Sequence, residues 1–290
     1  MRIGIGSYAL FWERHHTNPH PLGIAAQVER AIELDCEVFQ ICDDPHLDEL
    51  DDAALAGLRG LADRSGLALE FGTRGTDHEH LARQIAMAGA LGATMLRSMV
   101  TADDLTLGLP NLVHRLGGIL PLLDEHGVSL ALETYEQIPT SALVHLVNGL
   151  NSPRIGICLD PANCVSALEH PRTVVELTAA HTINLHVKDF AFTRADDWVG
   201  FRFAGARLGA GMLDLDHELS MVTAAGRCGS AIVEHWVPWQ GDLTATLAIE
   251  RDWTQASLAG LRAWRAAHPG SLDHHRPGHR TLNPTRQEES

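Results

Sequence analysis

The amino-acid sequence predicts an α/β protein, a single-domain (β/α)8 TIM barrel, and two observations support this prediction. Short apolar stretches alternate with segments of helical spacing eight times along the 290 residues, which favours a closed parallel barrel over an open sheet. Four of these stretches also end in a polar side chain, at Glu133, Asp160, His186 and Glu234. The first three lie 27 and 26 residues apart, close to the roughly 30 residues of one strand-helix unit. They are therefore expected at matching ends of successive strands.

The predicted strands are short runs in which apolar residues dominate or alternate with others. The first run starts at the amino terminus with Arg2-Ile-Gly-Ile-Gly6, and Tyr8 follows near its carboxyl end. A Rossmann fold is excluded because no GxGxxG follows this strand. In chain order the predicted strands are residues 2–8, 38–42, 67–72, 93–97, 129–133, 155–160, 182–188 and 231–235.

The predicted helices carry apolar residues at helical spacing and have recognisable ends. Pro110 suits the first turn of one helix, which Gly127 ends. We expect the barrel to occupy residues 1–267 and the polar, Pro- and His-containing residues 268–290 to form a disordered tail. In chain order the helices are residues 23–34, 52–64, 78–91, 110–126, 141–149, 171–180, a segment after 214, and 245–265.

Composition excludes several classes of function. A formal net charge of −15 argues against a nucleic-acid partner, because proteins that bind nucleic acids need a basic surface. No apolar run approaches the roughly 18 residues of a membrane span, and no secretory pattern opens the chain, so we expect a cytoplasmic protein with no membrane partner. The five cysteines form no CxxC pair, which indicates free thiols rather than disulfides or a structural zinc site.

The polar strand ends are expected to converge inside the barrel. Side chains alternate between the two faces of a strand, so Glu133 shares a face with Ala131, whereas Asn184, His186 and Lys188 share one face of a later strand. If these faces line the interior, unpaired charges would be costly there, and a divalent cation would remove that cost.

The four candidate ligands are three carboxylates and one imidazole, at Glu133, Asp160, His186 and Glu234. This oxygen-rich set favours one Mn²⁺, Mg²⁺ or Co²⁺ ion over a thiolate-type zinc site. The competing interpretation is that each acidic residue only caps the following helix, and Asp160, which precedes Pro161, is the best candidate for that role.

Several side chains are candidates to bind a substrate near these strand ends. Arginine binds carboxylate or phosphate through two parallel hydrogen bonds, so Arg97, Lys188, Arg194 and Arg207 point to an acidic or phosphorylated sugar. Arg194 and Arg207 could instead pair with nearby aspartates in the segment 189–214, whose length suits a lid or a subunit contact. Asp43 could hold substrate hydroxyls, and Tyr8 could form part of an apolar wall.

Several segments from strand five to strand eight resemble one known family. They are Leu132-Glu133, Leu159-Asp-Pro-Ala-Asn163, Leu185-His-Val-Lys-Asp189, Leu208-Gly-Ala-Gly-Met-Leu-Asp214 and Val233-Glu234. They resemble the xylose-isomerase-like barrels, which include sugar isomerases, ketose 3-epimerases and type IV endonucleases. The resemblance implies that the four ligands bind one divalent metal, that Glu133 and Glu234 also act as acid and base, and that the protein is a homodimer or homotetramer.

Asn163 departs from this family pattern, because many of the epimerases have a histidine there, and the substrate contact at this position is therefore open. A tighter resemblance involves the segments Gln40-Ile-Cys-Asp-Asp44, Phe71-Gly-Thr-Arg-Gly75 and Lys188-Asp-Phe190. These segments resemble a branch usually labelled sugar phosphate isomerase/epimerase, in which decarboxylases of branched 3-oxo sugar acids are expected.

The leading hypothesis is a metal-dependent isomerase or epimerase that acts on a sugar or sugar acid through an enediolate. Its alternative is a decarboxylase of a 3-oxo sugar acid, which needs a similar site and a cation near the departing carboxylate. An endonuclease for abasic DNA is disfavoured by the acidic charge. A non-catalytic carbohydrate-binding barrel is disfavoured by two glutamates suited to acid-base work.

Overall fold

Eight parallel strands close into a barrel in the computed structural model, which describes residues 1–195 and 199–269. The barrel order is β1-β10-β7-β6-β5-β4-β3-β2, so the predicted TIM barrel is confirmed. Strands β8 and β9 form a separate antiparallel hairpin. The strands are β1 (Arg2–Gly6), β2 (Val38–Cys42), β3 (Ala68–Gly72), β4 (Met95–Ser98), β5 (Ser129–Glu133), β6 (Ile155–Leu159), β7 (Thr182–Val187), β8 (Phe190–Arg194), β9 (Phe201–Gly205) and β10 (Ser230–Val233).

Helices follow the barrel strands and pack around the outside. In the described residues they are α1 (Phe11–Arg14), α2 (Ile24–Glu33), α3 (Asp52–Ser65), α4 (His78–Ala90), α5 (Ala102–Leu105), α6 (Leu109–Gly117), α7 (Leu120–His126), α8 (Thr140–Leu150), α9 (Pro161–Cys164), α10 (Pro171–Thr178), α11 (Leu215–Ala225) and α12 (Leu243–Ala267). None of these helices has both the length and the apolar composition of a membrane span.

The alternation of side chains places the site. In β5, Leu130 and Leu132 are fully buried in the large core between strands and helices, and each contributes roughly 1.5–3 kcal/mol by its burial. Ala131 and Glu133 therefore face the barrel interior. The neighbouring strand pairs in register, with Glu133 opposite Cys158, which leaves Asp160 just beyond the end of β6.

One predicted helix is wrong in its extent. Residues 110–126 form two helices, α6 and α7, with Gly118 and Ile119 between them. Two consecutive glycines, Gly117 and Gly118, weaken the helix at this point, and Pro121 lies in the first turn of α7, where its missing N–H is tolerated. The apolar spacing continues through the break, which is why the sequence pattern predicted one helix.

The long segment 189–214 is more regular than expected, because it contains the hairpin of β8 and β9. Strands β6, β7 and β10 end before Asp160, Lys188 and Glu234, so these side chains lie on the first residue after each strand. Of the predicted tail, His268 stacks on Trp264, and residues 270–290 lie outside the described residues.

Candidate active site

A small cavity of about 100 Å³ opens at the carboxyl ends of the barrel strands, where active sites of this barrel type lie. A larger groove of about 1150 Å³ lies beside α2 and α3, but it does not include any of the four candidate ligands. Chemistry rather than volume therefore identifies the site. The small cavity is lined by Tyr8, Arg74, Arg97, Met99, Glu133, Tyr135, Asn163, Lys188, Glu234 and Trp236.

His186 is the centre of a buried carboxylate cluster. Its Nδ1 atom lies 3.3 Å from Glu133 Oε1, 3.8 Å from Asp160 Oδ2 and 3.5 Å from Glu234 Oε2. Ligand atoms of Glu133, Asp160 and His186 all lie within 4.8 Å of one another. Two ligands each about 2.1 Å from a Mg²⁺-sized ion and at right angles would be about 3 Å apart, so the observed spacing is compatible with one cation.

The hydrogen bonds of His186 show what this cluster lacks. Nε2 lies 2.8 Å from Gln40 Oε1, and the Gln40 amide nitrogen already donates to Glu70 and Asn184. Gln40 Oε1 is therefore an acceptor, Nε2 carries the hydrogen, and Nδ1 presents its lone pair to three carboxylates. Such an arrangement needs a positive charge at Nδ1, either a proton or a metal ion.

Four buried atoms at this point make no hydrogen bond within the described residues, although Arg97 pairs with the first and Lys188 with the second: Glu133 Oε2, Asp160 Oδ2, His186 Nδ1 and Glu234 Oε1. Buried polar atoms without partners are rare and costly, and these four are the kinds of atoms that bind divalent cations. The four predicted ligands therefore fit a divalent metal. Asp160 also caps α9, because its Oδ1 accepts a hydrogen bond from the Asn163 backbone, so both interpretations of this residue apply.

Glu133 is held on both oxygens by neighbouring side chains. Asn163 Nδ2 donates to its Oε1 at 2.9 Å, and Arg97 Nε lies 2.9 Å from its Oε2 as an ion pair. Burial alone would raise the pKa of Glu133, but Arg97 and His186 lower it to about 2. Glu133 is therefore a carboxylate, and Asn163, where the family pattern has a histidine, fixes its orientation.

Lys188 places a second cation beside the ligands. Its side chain is only 4% exposed, and Nζ lies 2.6 Å from Asp160 Oδ2 and 3.1 Å from Glu234 Oε2. Burial alone would lower the pKa of Lys188, but Asp160 and Glu234 raise it above its ordinary value, so the amine is protonated. Trp236 covers it, with Nζ 4.5 Å from the ring centroid.

Lys188 is the only lysine in the 290 residues, whereas the chain has 21 arginines. A chain that uses arginine everywhere else and lysine once, directly after a buried strand, carries a signal that identifies this residue from the sequence. Lys188 was already a candidate, whereas the cavity residues Tyr135 and Met99, which sequence reasoning did not assign to the site, lie on loops after β5 and β4 and carry no comparable signal.

Arg74, Tyr8 and Asp43 form a polar group at the cavity mouth. The Tyr8 hydroxyl donates to Asp43 Oδ2 at 3.0 Å and accepts from Arg74 Nη2 at 2.9 Å. Arg74 Nε lies 3.2 Å from the same Asp43 oxygen, and Arg97 Nη2 lies 3.4 Å from it. Burial and the Asp43 charge raise the pKa of Tyr8 to about 12, so its hydroxyl keeps its proton. Arg74 is half-exposed, which leaves it accessible to a substrate.

The structure does not bring Arg194 and Arg207 into this cavity. Arg194 lies on the exposed hairpin, with its guanidinium 4.5 Å from the Phe201 ring centroid. Arg207 pairs with Asp252 at 2.8 Å on the surface, rather than with an aspartate of its own loop. Asp214 pairs instead with Arg172. Both arginines follow strand β7 in sequence, but neither lines the cavity, although the hairpin residue Phe203 contacts the cavity residue Trp236.

The side chain of Asp189, the residue that follows Lys188, joins the two ends of the long segment 189–214. Its buried carboxylate accepts backbone hydrogen bonds from Phe190 and Leu213 on Oδ1, and from Gly209 and Gly211 on Oδ2, at 2.8–3.0 Å. A Cβ atom on Gly211 would lie 2.1 Å from Asp189 Oδ1, so only glycine permits this approach. The segment therefore begins and ends at one fixed point.

Two comparisons identify the family. Residues 28–264 match the model of the xylose isomerase-like TIM barrel family. The chain is 43% identical over 258 residues to a 3-oxo-isoapionate decarboxylase from Pectobacterium atrosepticum, an alignment that covers 89% of this chain and 94% of the relative.

Solved structures share the fold. A D-psicose 3-epimerase from Clostridium cellulolyticum H10, crystallised with D-tagatose, has a TM-score of 0.69 and 12% identity, over 92% of this chain and 99% of that one. A xylose isomerase-like TIM-barrel protein from Mycobacterium smegmatis in complex with magnesium has a TM-score of 0.63 and 17% identity, over 90% and 97%. The predicted family is confirmed: this chain is an enzyme of the xylose isomerase-like TIM-barrel family.

Proposed function

We propose that this enzyme is a divalent-metal-dependent decarboxylase of a 3-oxo sugar acid. The observation that carries the proposal is the state of Glu133, whose two oxygens are engaged by Asn163 and Arg97. Isomerisation or epimerisation through two carboxylates needs both of them to exchange protons with the substrate. Glu133 Oε2 makes no hydrogen bond but is paired with Arg97, whereas Glu234 Oε1 has neither a hydrogen bond nor an ion pair within the described residues, so one proton site is left, as decarboxylation requires.

The cations around the cavity suit an anionic substrate. Arg74 has five N–H donors, and its contacts with Tyr8 and Asp43 engage two of its nitrogens. Its half-exposed position at the mouth can therefore bind a carboxylate from solvent. Arg97, by contrast, is fully buried and keeps Glu133 charged, so its role is to maintain a metal ligand rather than to bind substrate.

In the reaction, the bond between the carboxylate carbon and its neighbour breaks, CO₂ leaves, and the electron pair moves toward the 3-oxo oxygen. A bound divalent cation would supply Lewis acidity at that oxygen. Lys188 Nζ, which faces the cavity and is protonated, gives a proton to the carbon that lost CO₂. Glu234 Oε2, 3.1 Å from Nζ, accepts a proton that enters from solvent through the cavity and passes it to Nζ, so proton and charge balance over one turnover.

The relative at 43% identity supports this proposal, because it is named a 3-oxo-isoapionate decarboxylase and is aligned over almost its whole length. Isomerisation or epimerisation of a ketose is the second candidate. It is supported by the fold likeness to ketose 3-epimerases and by the presence of both Glu133 and Glu234 in the cavity.

The decisive experiment incubates the Mn²⁺-loaded enzyme in D₂O with 3-oxo sugar acids, ketoses and ketose phosphates, and follows CO₂ and proton NMR together. The proposal expects stoichiometric CO₂ from an acid and one deuterium at the carbon that lost it. Deuterium in a ketose without CO₂ would instead establish the isomerase or epimerase.

Two variants sharpen this test. Glu234→Gln should lower CO₂ release by at least about 100-fold, the usual contribution of a positioned proton donor or acceptor. Arg154→Met, which removes a half-exposed arginine paired with Asp124, should leave it unchanged. Borohydride treatment during turnover adds a further check, because a substrate imine could form on only one side chain, Lys188. A substrate-sized mass on Lys188, with activity in the absence of metal, would refute the metal-dependent route.

A further inference from the structure

We propose that Glu70, although it touches no metal ligand, positions His186 for metal binding by fixing the orientation of Gln40. Glu70 lies on β3, Gln40 on β2, and Asn184 and His186 on β7. Strands β2 and β3 are not neighbours of β7 in the barrel, so the side-chain hydrogen bonds that join them cross the barrel interior. We call Gln40, Glu70, Asn184 and Ser230 the interior network.

Each donor hydrogen of the interior network is directed to one acceptor within the network. Glu70 Oε2 accepts from Gln40 Nε2 at 3.1 Å and from Asn184 Nδ2 at 3.1 Å, and Glu70 Oε1 accepts from the Ser230 hydroxyl at 2.6 Å. The second Gln40 hydrogen goes to Asn184 Oδ1 at 3.0 Å, and the second Asn184 hydrogen goes to Ser230 Oγ at 2.8 Å. All four side chains are buried, so water does not provide alternatives.

This allocation determines the state of the imidazole. Because both Gln40 hydrogens are used, its Oε1 must face His186 Nε2 and accept from it at 2.8 Å. The Cys42 thiol lies 3.1 Å from the same oxygen and can donate to it, which favours the same amide orientation. The hydrogen of His186 is therefore on Nε2, and Nδ1 is available to a cation. The orientation of the Gln40 amide depends on Glu70, which accepts one of its two hydrogens.

Replacing the carboxylate should reverse part of the network. Glu70→Gln keeps the shape of the side chain but puts an NH₂ group where three donors converge, so at least one of the three donors must turn away. If Gln40 turns, its NH₂ faces His186 Nε2, and the ring hydrogen must move to Nδ1, the atom that would bind the metal. Groups that orient a metal-binding histidine typically affect metal affinity by about 10–100-fold.

The test measures Mn²⁺ affinity by calorimetry, with Glu250→Gln as a matched control. Glu250 is equally buried and accepts two backbone hydrogen bonds, from Trp12 and Glu13, but it lies outside the interior network. We expect Glu70→Gln to raise the dissociation constant of Mn²⁺ by about 10–100-fold and Glu250→Gln to leave it unchanged. Equal affinities for Glu70→Gln and wild type would overturn the proposal.

A spectroscopic readout separates positioning from a general loss of structure. In ¹H–¹⁵N spectra of the Zn²⁺-loaded protein, the Nε2–H of His186, recognised by its absence in His186→Gln, should be hydrogen-bonded to Gln40 in wild type and strongly shifted in Glu70→Gln, where that acceptor turns away. An unchanged signal in Glu70→Gln would refute the proposed role.

Should Glu70→Gln fail to fold, Ser230→Ala provides the second variant, because it removes one donor from Glu70 and one acceptor from Asn184 while leaving the carboxylate. It should weaken Mn²⁺ binding by a smaller factor, and unchanged affinity in Ser230→Ala would count against the proposal. These measurements need the metal site but no turnover, so they can fail while the decarboxylase assignment stands, and the reverse.

Discussion

Replacing Lys188 by methionine should destabilise the metal-free protein strongly and the metal-loaded protein weakly. Methionine retains much of the length and apolar stem of lysine but removes the charge. In the wild type this charge lies 2.6 Å from Asp160 Oδ2 and 3.1 Å from Glu234 Oε2. Without it, two buried carboxylates face each other beside Glu133, whose charge Arg97 already offsets, and the His186 ring lies between them.

The size of the effect follows from the burial of all three groups. Breaking one side of a buried ion pair costs about 3–5 kcal/mol, so the metal-free variant should lose about that much free energy of unfolding. A bound Mn²⁺ replaces the missing charge and should restore about 2 kcal/mol. Since 1.4 kcal/mol corresponds to a factor of ten, the dissociation constant of Mn²⁺ should fall by about 30-fold in Lys188→Met.

Urea denaturation with and without saturating Mn²⁺, together with calorimetric titration, measures both quantities. Arg154→Met is the control, because its partner Asp124 is exposed and such surface pairs contribute at most about 1 kcal/mol. CO₂ release should fall in Lys188→Met even though metal binding tightens. An equal loss of stability with and without Mn²⁺, or an unchanged dissociation constant, would show that Lys188 and the cation do not share these carboxylates.

Three further outcomes are expected. Burial raises the pKa of Glu250 to about 8, so between about pH 4.3 and 8 the folded protein holds a proton that the unfolded chain releases. The free energy of unfolding therefore falls as pH rises, by up to about 1.4 kcal/mol per pH unit. Glu250→Gln should flatten this slope in urea denaturation at pH 5–8.5, and an unchanged slope would contradict the assignment. Asp189→Asn turns two of its four backbone acceptor contacts into donor-donor contacts, so hydrogen exchange at Gly209, Gly211 and Leu213 should accelerate at least about 100-fold, since hydrogen bonds to charged groups contribute about 1.5–3 kcal/mol each. Asp214→Asn is its control in the same segment. Chelation should abolish CO₂ release and lower the melting temperature, and retention of both would remove the metal from the proposal.

The parts of this molecule that follow local rules could be predicted from the sequence. Strand alternation and the spacing of strand ends depend on residues close in the chain, which is why Glu133, Asp160, His186 and Glu234 could be expected at one point, and the structure brings them together. The break between α6 and α7 was missed because apolar spacing continues through Gly117 and Gly118 while the backbone does not.

Contacts across the barrel could not be predicted in the same way. Gln40 and Glu70 were part of strands with no evident partner, and their connection to His186 depends on which strands face each other across the interior. Arg194 and Arg207 were expected at the mouth because they follow β7 in sequence, but Arg194 lies on the exposed part of the hairpin of β8 and β9, and Arg207 pairs with Asp252. In both cases the outcome depends on how distant parts of the chain pack together in three dimensions.

The tie at Asp189 also has a consequence for protein engineering. Because one carboxylate binds Phe190 at the start of the excursion and Leu213 at its end, both ends of the excursion are fixed beside Lys188. Lengthening a loop costs only about 0.6 kcal/mol per doubling, so peptides inserted between β8 and β9 should be tolerated without displacing the lysine. The connection between β8 and β9 is thus a suitable position for grafting a reporter or an affinity tag.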